Sequence, residues 1–331
     1  MVMQNAQELG RRFASVGALR FREEAGALTV LDIDGPAASA SLCLQGAQVL
    51  TWKPRGQAHD VVWLSNGARF APAKSVRGGI PVCWPWFGPH AQPGLPAHGF
   101  ARNLVWDLAD AAVLADGAVR VALRLDPHTL DQSDLSGFDA VRAVWPNHWE
   151  LALHATFGDT LAIELVTRNR GTTPFPVGEA LHTYFRVGDV DHAQVIGLDG
   201  CEYVDKVGPE ARRRQEGAVR FAGETDRVYR DRAASCVIDD PVLGRRIVVE
   251  KSASASTVVW TPWAEKAAKL GDLGSGARGA DAGWREMLCV ESANALEDCV
   301  TVAPGAEHRL AVRYRVEPRL AGTAIAGTQS A

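Results

Sequence analysis

The chain has 331 residues, and its 32 glycines and 17 prolines together make up roughly one residue in seven. Glycine and proline together make up about 12% of ordinary globular proteins, so this larger share favours many turns and short elements over long helices. Hydrophobic residues form 47% of the chain and charged residues 22%, a balance that excludes intrinsic disorder. The formal net charge of −4 argues against a protein that binds nucleic acid mainly through charge, since such proteins are usually basic.

The N-terminal segment predicts neither export nor membrane insertion. No apolar core of signal-peptide length follows a basic start, and Glu8 interrupts the only candidate. No stretch approaches about 18 uncharged apolar residues, so we expect no membrane span. The six cysteines include no CxxC pair, and most lie inside apolar runs. We therefore expect reduced thiols and a cytoplasmic protein.

The segment 6–16 has helical spacing and predicts one short helix. After it, runs rich in β-branched and large apolar residues alternate with Gly, Pro and Asn, a pattern that predicts strands and hairpins. A Gly-Asp pair near residue 158 resembles a hairpin turn. The runs are, in chain order, ALTVLDID, SASLCLQGAQVLTWK, DVVWLS, AVRVALRL, HWELALHATF, DTLAIELVTRN, HAQVIGL, RRIVVEK, STVVWTPW, EMLCVES and HRLAVRYRVEP.

These runs predict an all-β fold, because no helix of ten or more residues alternates with the strands as a parallel sheet would require. Regular strand spacing instead predicts a sandwich of antiparallel sheets with a few short helices. We expect residues 1–25 to form an N-terminal helix and lead-in, residues 26–317 a single domain, and residues 318–331 a flexible tail. Two segments, 75–103 and 266–284, interrupt the strands and predict long loops, which are often functional.

Several familiar motifs are missing or out of context. Gly274, Gly276 and Gly279 spell GxGxxG, but a dinucleotide-binding loop needs a strand before it and a helix after it. A polar loop precedes this motif, so we expect a flexible loop. None of the nine histidines lies in HExxH or HxH, and no P-loop or GxSxG elbow occurs. We therefore expect no metal and no cofactor.

Three segments place polar groups where a buried core would not tolerate them unpaired. Taken singly, Glu291 could belong to a structural ion pair and His182 could be a core histidine, while the arginines could brace loops or face solvent. Taken together, the groups supply an acid–base pair and an anion clamp, which suits a small phosphorylated substrate that needs only proton transfers. They are Arg77, His98 and Arg102 in RGGIP and AHGFARN, Glu179 and His182 in GEALHTYF, and Glu291 in MLCVES.

Six co-linear segments between about Gly26 and about Glu317 resemble the hexose-6-phosphate mutarotases, the glucose-6-phosphate 1-epimerase branch of the aldose-1-epimerase superfamily. The segments are RGGIPVCWPWFGPH, HGFARNLVWDL, GEALHTYFRVGDV, ETDRVY, WTPW and CVESANA. The resemblance implies a galactose-mutarotase-like β-supersandwich, one large domain with the sugar in a cleft on one face. It also implies a monomer that acts on a hexose 6-phosphate without a cofactor, a metal, nucleic acid or a membrane.

The resemblance implies a role for each matching residue. His182 of LHTYF is the expected general acid, and Glu291 of CVES is the expected general base. Arg77 of RGGIP and Arg102 of HGFAR are expected to hold the phosphate. Asp226 of ETDRVY is expected to hold sugar hydroxyls.

Some positions depart from the family pattern or allow a second interpretation. His98 of AHGFAR is expected to line the pocket, with a loop-bracing role as the alternative. Many relatives have Gln where this chain has Ala97, and relatives often read WNP where this chain has Thr261. The insert LGSGARGADAG, residues 273–283 of the loop 271–283, is expected to lengthen that loop before Trp284. These departures leave the preferred hexose open.

The expected reaction needs only two proton-transfer groups. A base removes the proton from the C1 hydroxyl while an acid protonates the ring oxygen; the C1–C2 bond rotates, and the ring closes on the other face. We expect the pKa of Glu291 to stay at its ordinary value of about 4.3. We expect the Glu291 carboxylate to raise the pKa of His182 above about 6.5.

Three alternatives share parts of this pattern. A sugar-phosphate sensor would need the arginines but not the acid–base pair. A mutarotase for unphosphorylated sugars would need the pair but not the arginines. A carbohydrate-binding sandwich module would usually be smaller and would bind sugars on exposed aromatic rings.

Overall fold

The structure is a computed structural model that describes residues 5–131, 138–145, 148–231 and 235–319. Its helices are short, and none is long and apolar enough to cross a membrane. The α-helices in the described parts are α1 (Ala6–Arg12), α2 (Pro127–Asp131), α3 (Phe138–Val144) and α4 (Trp263–Leu270). Single 3₁₀ turns lie at Ala14–Val16, Ala25–Ala27, Ala101–Asn103, Gly283–Glu286 and Leu296–Asp298.

Strands account for most of the regular structure in the same residues. The first twelve are β1 (Leu19–Glu24), β2 (Leu28–Asp34), β3 (Ala38–Cys43), β4 (Gln48–Pro54), β5 (Val82–Cys83), β6 (Asp107–Val113), β7 (Val119–Leu125), β8 (Trp149–Phe157), β9 (Thr160–Asn169), β10 (Phe175–Val177), β11 (Glu179–Leu181) and β12 (Tyr184–Arg186). The others are β13 (Gln194–Ile196), β14 (Glu202–Asp205), β15 (Ala211–Arg214), β16 (Val219–Arg220), β17 (Thr225–Arg230), β18 (Ser235–Asp240), β19 (Arg245–Ser252), β20 (Ser256–Thr261), β21 (Met287–Asn294), β22 (Val300–Val302) and β23 (Glu307–Pro318).

The strands form three antiparallel sheets and one small ribbon, so the predicted all-β class is confirmed. A four-stranded sheet has the order β1-β2-β3-β4. An eight-stranded sheet has the order β15-β14-β17-β20-β21-β11-β5, with β12 also paired to β21. A nine-stranded sheet has the order β16-β13-β18-β19-β23-β9-β8-β7-β6, and β10 pairs with β22 in the ribbon.

The eight-stranded and nine-stranded sheets pack face to face across a buried core. Phe185 of β12 meets Tyr314 of β23 edge to face, with ring centroids 5.0 Å apart. The hydroxyl oxygens of Thr183 and Tyr314 lie 2.7 Å apart, and Nε1 of Trp84 donates to Oγ1 of Thr167 at 2.9 Å. Residues 183 and 185 therefore face the core, so the alternate residues 182 and 184 face away from it.

Most of the predicted strand runs are strands, and the Gly-Asp pair joins β8 to β9 as a hairpin. The run DVVWLS is wrong as a strand, because Val62 and Leu64 make only isolated bridges where the chain crosses between sheets. The predicted loop 266–284 is also partly wrong. Its first residues continue α4, where Ala, Lys and Leu have high helix propensity and Gly271 ends the helix in the left-handed region. The predicted flexible tail lies mostly outside the described residues.

The loop 84–102 is held close to β5 by a glycine that no other residue can replace without strain. Gly99 has φ +71°, and a methyl group on it would lie 1.9 Å from the carbonyl oxygen of Trp84. This contact sets the position of His98 and Arg102, which flank Gly99 in the chain. Gly94 of the same loop has φ +87°, but a methyl group on it would meet nothing within 4 Å.

We expect Gly99→Ala to lower the free energy of unfolding by about 3 kcal/mol, because it adds a steric clash to the cost of a left-handed backbone. Gly94→Ala carries the backbone cost alone and should lose about 1 kcal/mol. Guanidinium unfolding followed by tryptophan fluorescence measures both. Equal losses would show that the Trp84 contact does not constrain this loop.

Candidate active site

A cavity of about 510 Å³ lies over the face of the eight-stranded sheet that points away from the core. Strand register places Asp226 opposite Trp260, Trp260 opposite Cys289, and Cys289 opposite Tyr184. Glu291 lies two residues from Cys289, and His182 two residues from Tyr184. Alternate residues of a strand share a face, so the antiparallel pairing collects all of these side chains on one surface.

The cavity brings together the six residues that the family resemblance assigned to the site. Glu179, which the sequence analysis grouped with them, lies outside the cavity. The other side chains that line it were not predicted, and four of them bear on its chemistry. Tyr184 and Trp260 could have been found by the period of two along their strands, whereas nothing in the local sequence distinguishes Lys206 and Lys266. The polar and aromatic side chains that line the cavity include Arg77, His98, Arg102, His182, Tyr184, Lys206, Asp226, Trp260, Lys266 and Glu291.

The proposed acid and base lie side by side on adjacent segments of the eight-stranded sheet. His182 lies between β11 and β12, and its Nε2 is 3.4 Å from Oε1 of Glu291 on β21. The His182 ring stacks on the ring of Tyr184 with centroids 5.0 Å apart and an interplanar angle of 10°. The side chain of Glu291 is 1% exposed and that of His182 13% exposed. Oε2 of Glu291 is buried without a hydrogen-bond partner in the described parts of the chain.

The predicted pKa values of Glu291 and His182 are both wrong. Burial raises the pKa of Glu291 well above its ordinary value, and the nearby Asp226 raises it further. Burial also lowers the pKa of His182 well below its ordinary value, with His98, Arg102 and Arg77 adding to the effect. The expectation weighed the mutual attraction of the two groups and left out the cost of desolvating both charges, which is larger here.

The two arginines have different surroundings. Nε of Arg77 donates to Oδ1 of Asp272 at 2.9 Å, and Nη1 donates to the hydroxyl of Tyr184 at 3.0 Å. Nη2 of Arg102 donates to the carbonyl oxygen of Ala97 at 2.7 Å. Nε of Arg102 is buried without a hydrogen-bond partner among the described residues. Arg77 is thus held by a carboxylate, and Arg102 by its own loop.

His98 both lines the cavity and braces its loop. Its Nδ1 accepts a hydrogen bond from the backbone N–H of Gly88 at 3.3 Å, and its ring packs against Phe87. Burial lowers the pKa of His98 to about 3, with Arg102 and Lys206 contributing. The ring is therefore neutral, and because Nδ1 accepts, its proton is on Nε2.

Asp226 and Glu179 differ in which face of the sheet they occupy. Asp226 lines the cavity, and burial raises the pKa of its carboxyl group above the ordinary value. Glu179 lies on the core side of β11, where Oε1 is 3.2 Å from Nε2 of His308 and Oε2 accepts from Thr167. Glu179 is therefore part of the contact between the two sheets and not of the cavity.

One group of side chains in the described residues could approach a metal ion. His182, Cys289 and Glu291 each offer a ligand atom, and these atoms lie within 4.8 Å of one another. Burial raises the pKa of the Cys289 thiol well above its ordinary value, which disfavours the thiolate that a metal would need.

Comparisons with known proteins show a family and a fold for this chain. A family profile described as aldose 1-epimerase matches residues 29–315. A protein of Escherichia coli (strain K12) named "Putative glucose-6-phosphate 1-epimerase" is 40% identical over 278 residues, which cover 83% of this chain and 86% of that protein. A solved structure described as a "putative mutarotase" from Salmonella typhimurium is 34% identical, with a TM-score of 0.80 over 94% of this chain and 99% of that one. A galactose mutarotase-like protein from Lactobacillus casei, 16% identical with a TM-score of 0.62, shares the fold over 87% of this chain and 100% of that one.

The burial of Glu291 predicts a pH-dependent cost to stability. Because its pKa is higher in the folded state than in the unfolded state, the folded state binds more protons above the ordinary glutamate pKa. Stability is therefore lost as pH rises from that value through the folded pKa. We expect Glu291→Gln to melt at least about 2 °C above the wild type at pH 8, with a smaller difference at pH 5.

Differential scanning calorimetry at both pH values measures this difference. Glu216→Gln, at an exposed turn, is the matched control and should follow the wild type. A Glu291→Gln melting temperature that stays a constant distance from the wild type at both pH values would contradict the assigned direction of the pKa shift.

Proposed function

Since the chain belongs to the aldose 1-epimerase family, we propose that it interconverts the α and β anomers of hexose 6-phosphates, with glucose 6-phosphate as the representative substrate. The observation that carries the proposal is the contact between His182 and Glu291 inside a cavity lined by cationic side chains. Ring opening acts on two oxygens bonded to the same carbon, so its acid and base must lie side by side, as these two groups do.

In the proposed reaction Glu291 takes the proton from the C1 hydroxyl while His182 gives a proton to the ring oxygen. The raised pKa of Glu291 makes its carboxylate a stronger base, and the lowered pKa of His182 makes its imidazolium a stronger acid. A bound phosphate dianion favours the protonated imidazole. Substrate binding would thus help transfer a proton from Glu291 to His182 and prepare both groups.

The remaining cavity residues would bind and orient the sugar. Asp226 is proposed to accept hydrogen bonds from sugar hydroxyls, and Arg77 and Arg102 to bind the phosphate away from C1. His98, as a neutral ring with its proton on Nε2, would donate a hydrogen bond into the cavity. One chain supplies all of these groups, so a monomer suffices for the chemistry. The six cysteines are free thiols, which fits the proposed cytoplasmic location.

The experiment that tests the function follows the anomeric protons of freshly dissolved α-glucose 6-phosphate by NMR. The enzyme should bring the anomers to equilibrium faster than buffer alone, and α-glucose without phosphate should be a poorer substrate. No acceleration with glucose 6-phosphate or with other hexose 6-phosphates would refute the reaction. Faster turnover of free glucose would instead favour a mutarotase for unphosphorylated sugars.

Variants of the cavity should separate chemistry from binding. We expect Glu291→Gln and His182→Ala each to lower kcat by about 10²- to 10⁴-fold, because each removes one proton-transfer group. Arg77→Ala should mainly raise KM for the phosphosugar, because Arg77 is proposed to act in binding. Saturation kinetics by the same NMR assay gives both constants. Near-normal turnover of Glu291→Gln at saturating substrate would rule out Glu291 as the base.

A further inference from the structure

The cationic side chains of the cavity fall into two classes. Two of them have carboxylate partners: Nε of Arg77 is 2.9 Å from Asp272, and Nζ of Lys266 is 2.6 Å from Glu224. The charges of Arg77 and Lys266 are therefore balanced by groups that belong to the protein. A ligand dianion would have to compete with these carboxylates for the same cations.

Arg102 and Lys206 form the second class, because neither has an ion pair with a carboxylate among residues 5–131, 138–145, 148–231 and 235–319. Lys206 directly follows β14, and its backbone N–H donates to the carbonyl oxygen of Asp226 at 2.8 Å. Its side chain leaves the sheet and crosses toward the loop that carries Gly88. A methyl group on Gly88 would lie 4.0 Å from Nζ of Lys206.

Arg102 and Lys206 both line the cavity together with Gly88 and His98, and these four residues are called its corner. The backbone N–H of Gly88 donates to Nδ1 of His98, so the loop reached by Lys206 also holds this ring. Burial lowers the pKa of His98 most, and the charges of Arg102 and Lys206 lower it further. Arg102 also follows His98 by four residues in the chain. The corner thus offers an ammonium, a guanidinium and a neutral imidazole N–H. Neither cation has a carboxylate within ion-pair distance among the described residues, and the charge of Lys206 acts on the Asp226 and Glu291 carboxyl groups only from farther away.

Charge balance indicates whether the two arginines alone, or the corner that includes Lys206, can neutralise a phosphate dianion. A phosphate monoester carries about −1.5 to −2 charges at pH 7. Arg77 and Arg102 together with Asp272 amount to a single net positive charge, before the cavity carboxyl groups of Asp226 and Glu291 are counted. Adding Lys206 supplies the missing charge without breaking an existing ion pair.

We propose that Lys206 is a phosphate-binding residue, which together with Arg102 and His98 forms the part of the cavity that recognises the 6-phosphate of the substrate. The inference rests on the proposed function for the identity of the ligand and adds the residue that separates phosphorylated from free sugars. Arg77 still donates hydrogen bonds to the phosphate in this proposal, but its pairing with Asp272 leaves it little net charge to add. It also holds Tyr184 against His182.

The test replaces Lys206 by Gln and measures binding of glucose 6-phosphate by isothermal titration calorimetry, alongside anomer exchange by NMR. Loss of one charged hydrogen-bonding group should weaken phosphosugar binding and raise KM by about 10- to 100-fold. The value of kcat at saturation should change by less than about threefold, and turnover of free glucose should stay the same. Lys206→Arg should recover most of the affinity because it keeps the charge.

Lys269→Gln is the matched control, since it removes the same charge from an exposed position of α4. It should bind glucose 6-phosphate like the wild type. The proposal is overturned if Lys206→Gln binds glucose 6-phosphate within twofold of the wild type, or if free glucose turnover falls in parallel with that of the phosphosugar. It stands, and the proposed reaction fails, if the wild type binds glucose 6-phosphate through Lys206 without accelerating anomer exchange.

Discussion

The desolvation of Glu291 beside His182 is the constraint on which the rest of the structure depends. A carboxylate that is 1% exposed and has one unpaired oxygen among the described residues costs stability, so the surrounding structure must hold it in place. The pairing of β21 with both β20 and the β11–β12 segment supplies that rigidity, because the strands on either side of Glu291 fix its backbone. The same burial raises the pKa of Glu291 and lowers that of His182, so a carboxylate formed there is a stronger base and an imidazolium a stronger acid.

The sheet alternation divides the molecule into a stabilising face and a chemical face. Thr183 and Phe185 point to the nine-stranded sheet, whereas His182 and Tyr184, one residue out of phase, point into the cavity. A shift of one residue in this segment would exchange the two sets and place an imidazole in the core. Packing between the sheets therefore sets which side chains reach the substrate, and the core fixes the acid–base geometry without touching the ligand.

Features that depend on neighbouring residues in the chain could be predicted from the sequence, whereas features that depend on distant residues could not. Strand runs and the 158–159 hairpin depend on local patterns, and apart from the run DVVWLS these predictions agree with the structure. The co-linear motifs identified all six expected residues, which the structure brings to one cavity. The pKa shifts could not be predicted, since desolvation depends on residues distant in the chain. The sequence did not indicate Lys206 for the same reason. Its sequence position, directly after a strand, is typical of a surface lysine, and its proposed role depends on the loop at Gly88, more than a hundred residues earlier in the chain.

The contacts of the three positions that depart from the family pattern show that they affect the cavity to different degrees. Arg102 is held by the backbone carbonyl of Ala97, so the side chain at position 97 does not affect this support, and a glutamine there would add only a contact of its own. Thr261 is fully buried at the end of β20, opposite Thr225, where it faces protein and not substrate. The insert 273–283, in contrast, directly follows Asp272, the carboxylate that pairs with Arg77. Of the three departures, the insert is the one that adjoins the electrostatics of the cavity, because the position of Asp272 affects how much positive charge Arg77 can offer a phosphate and how much must come from Lys206.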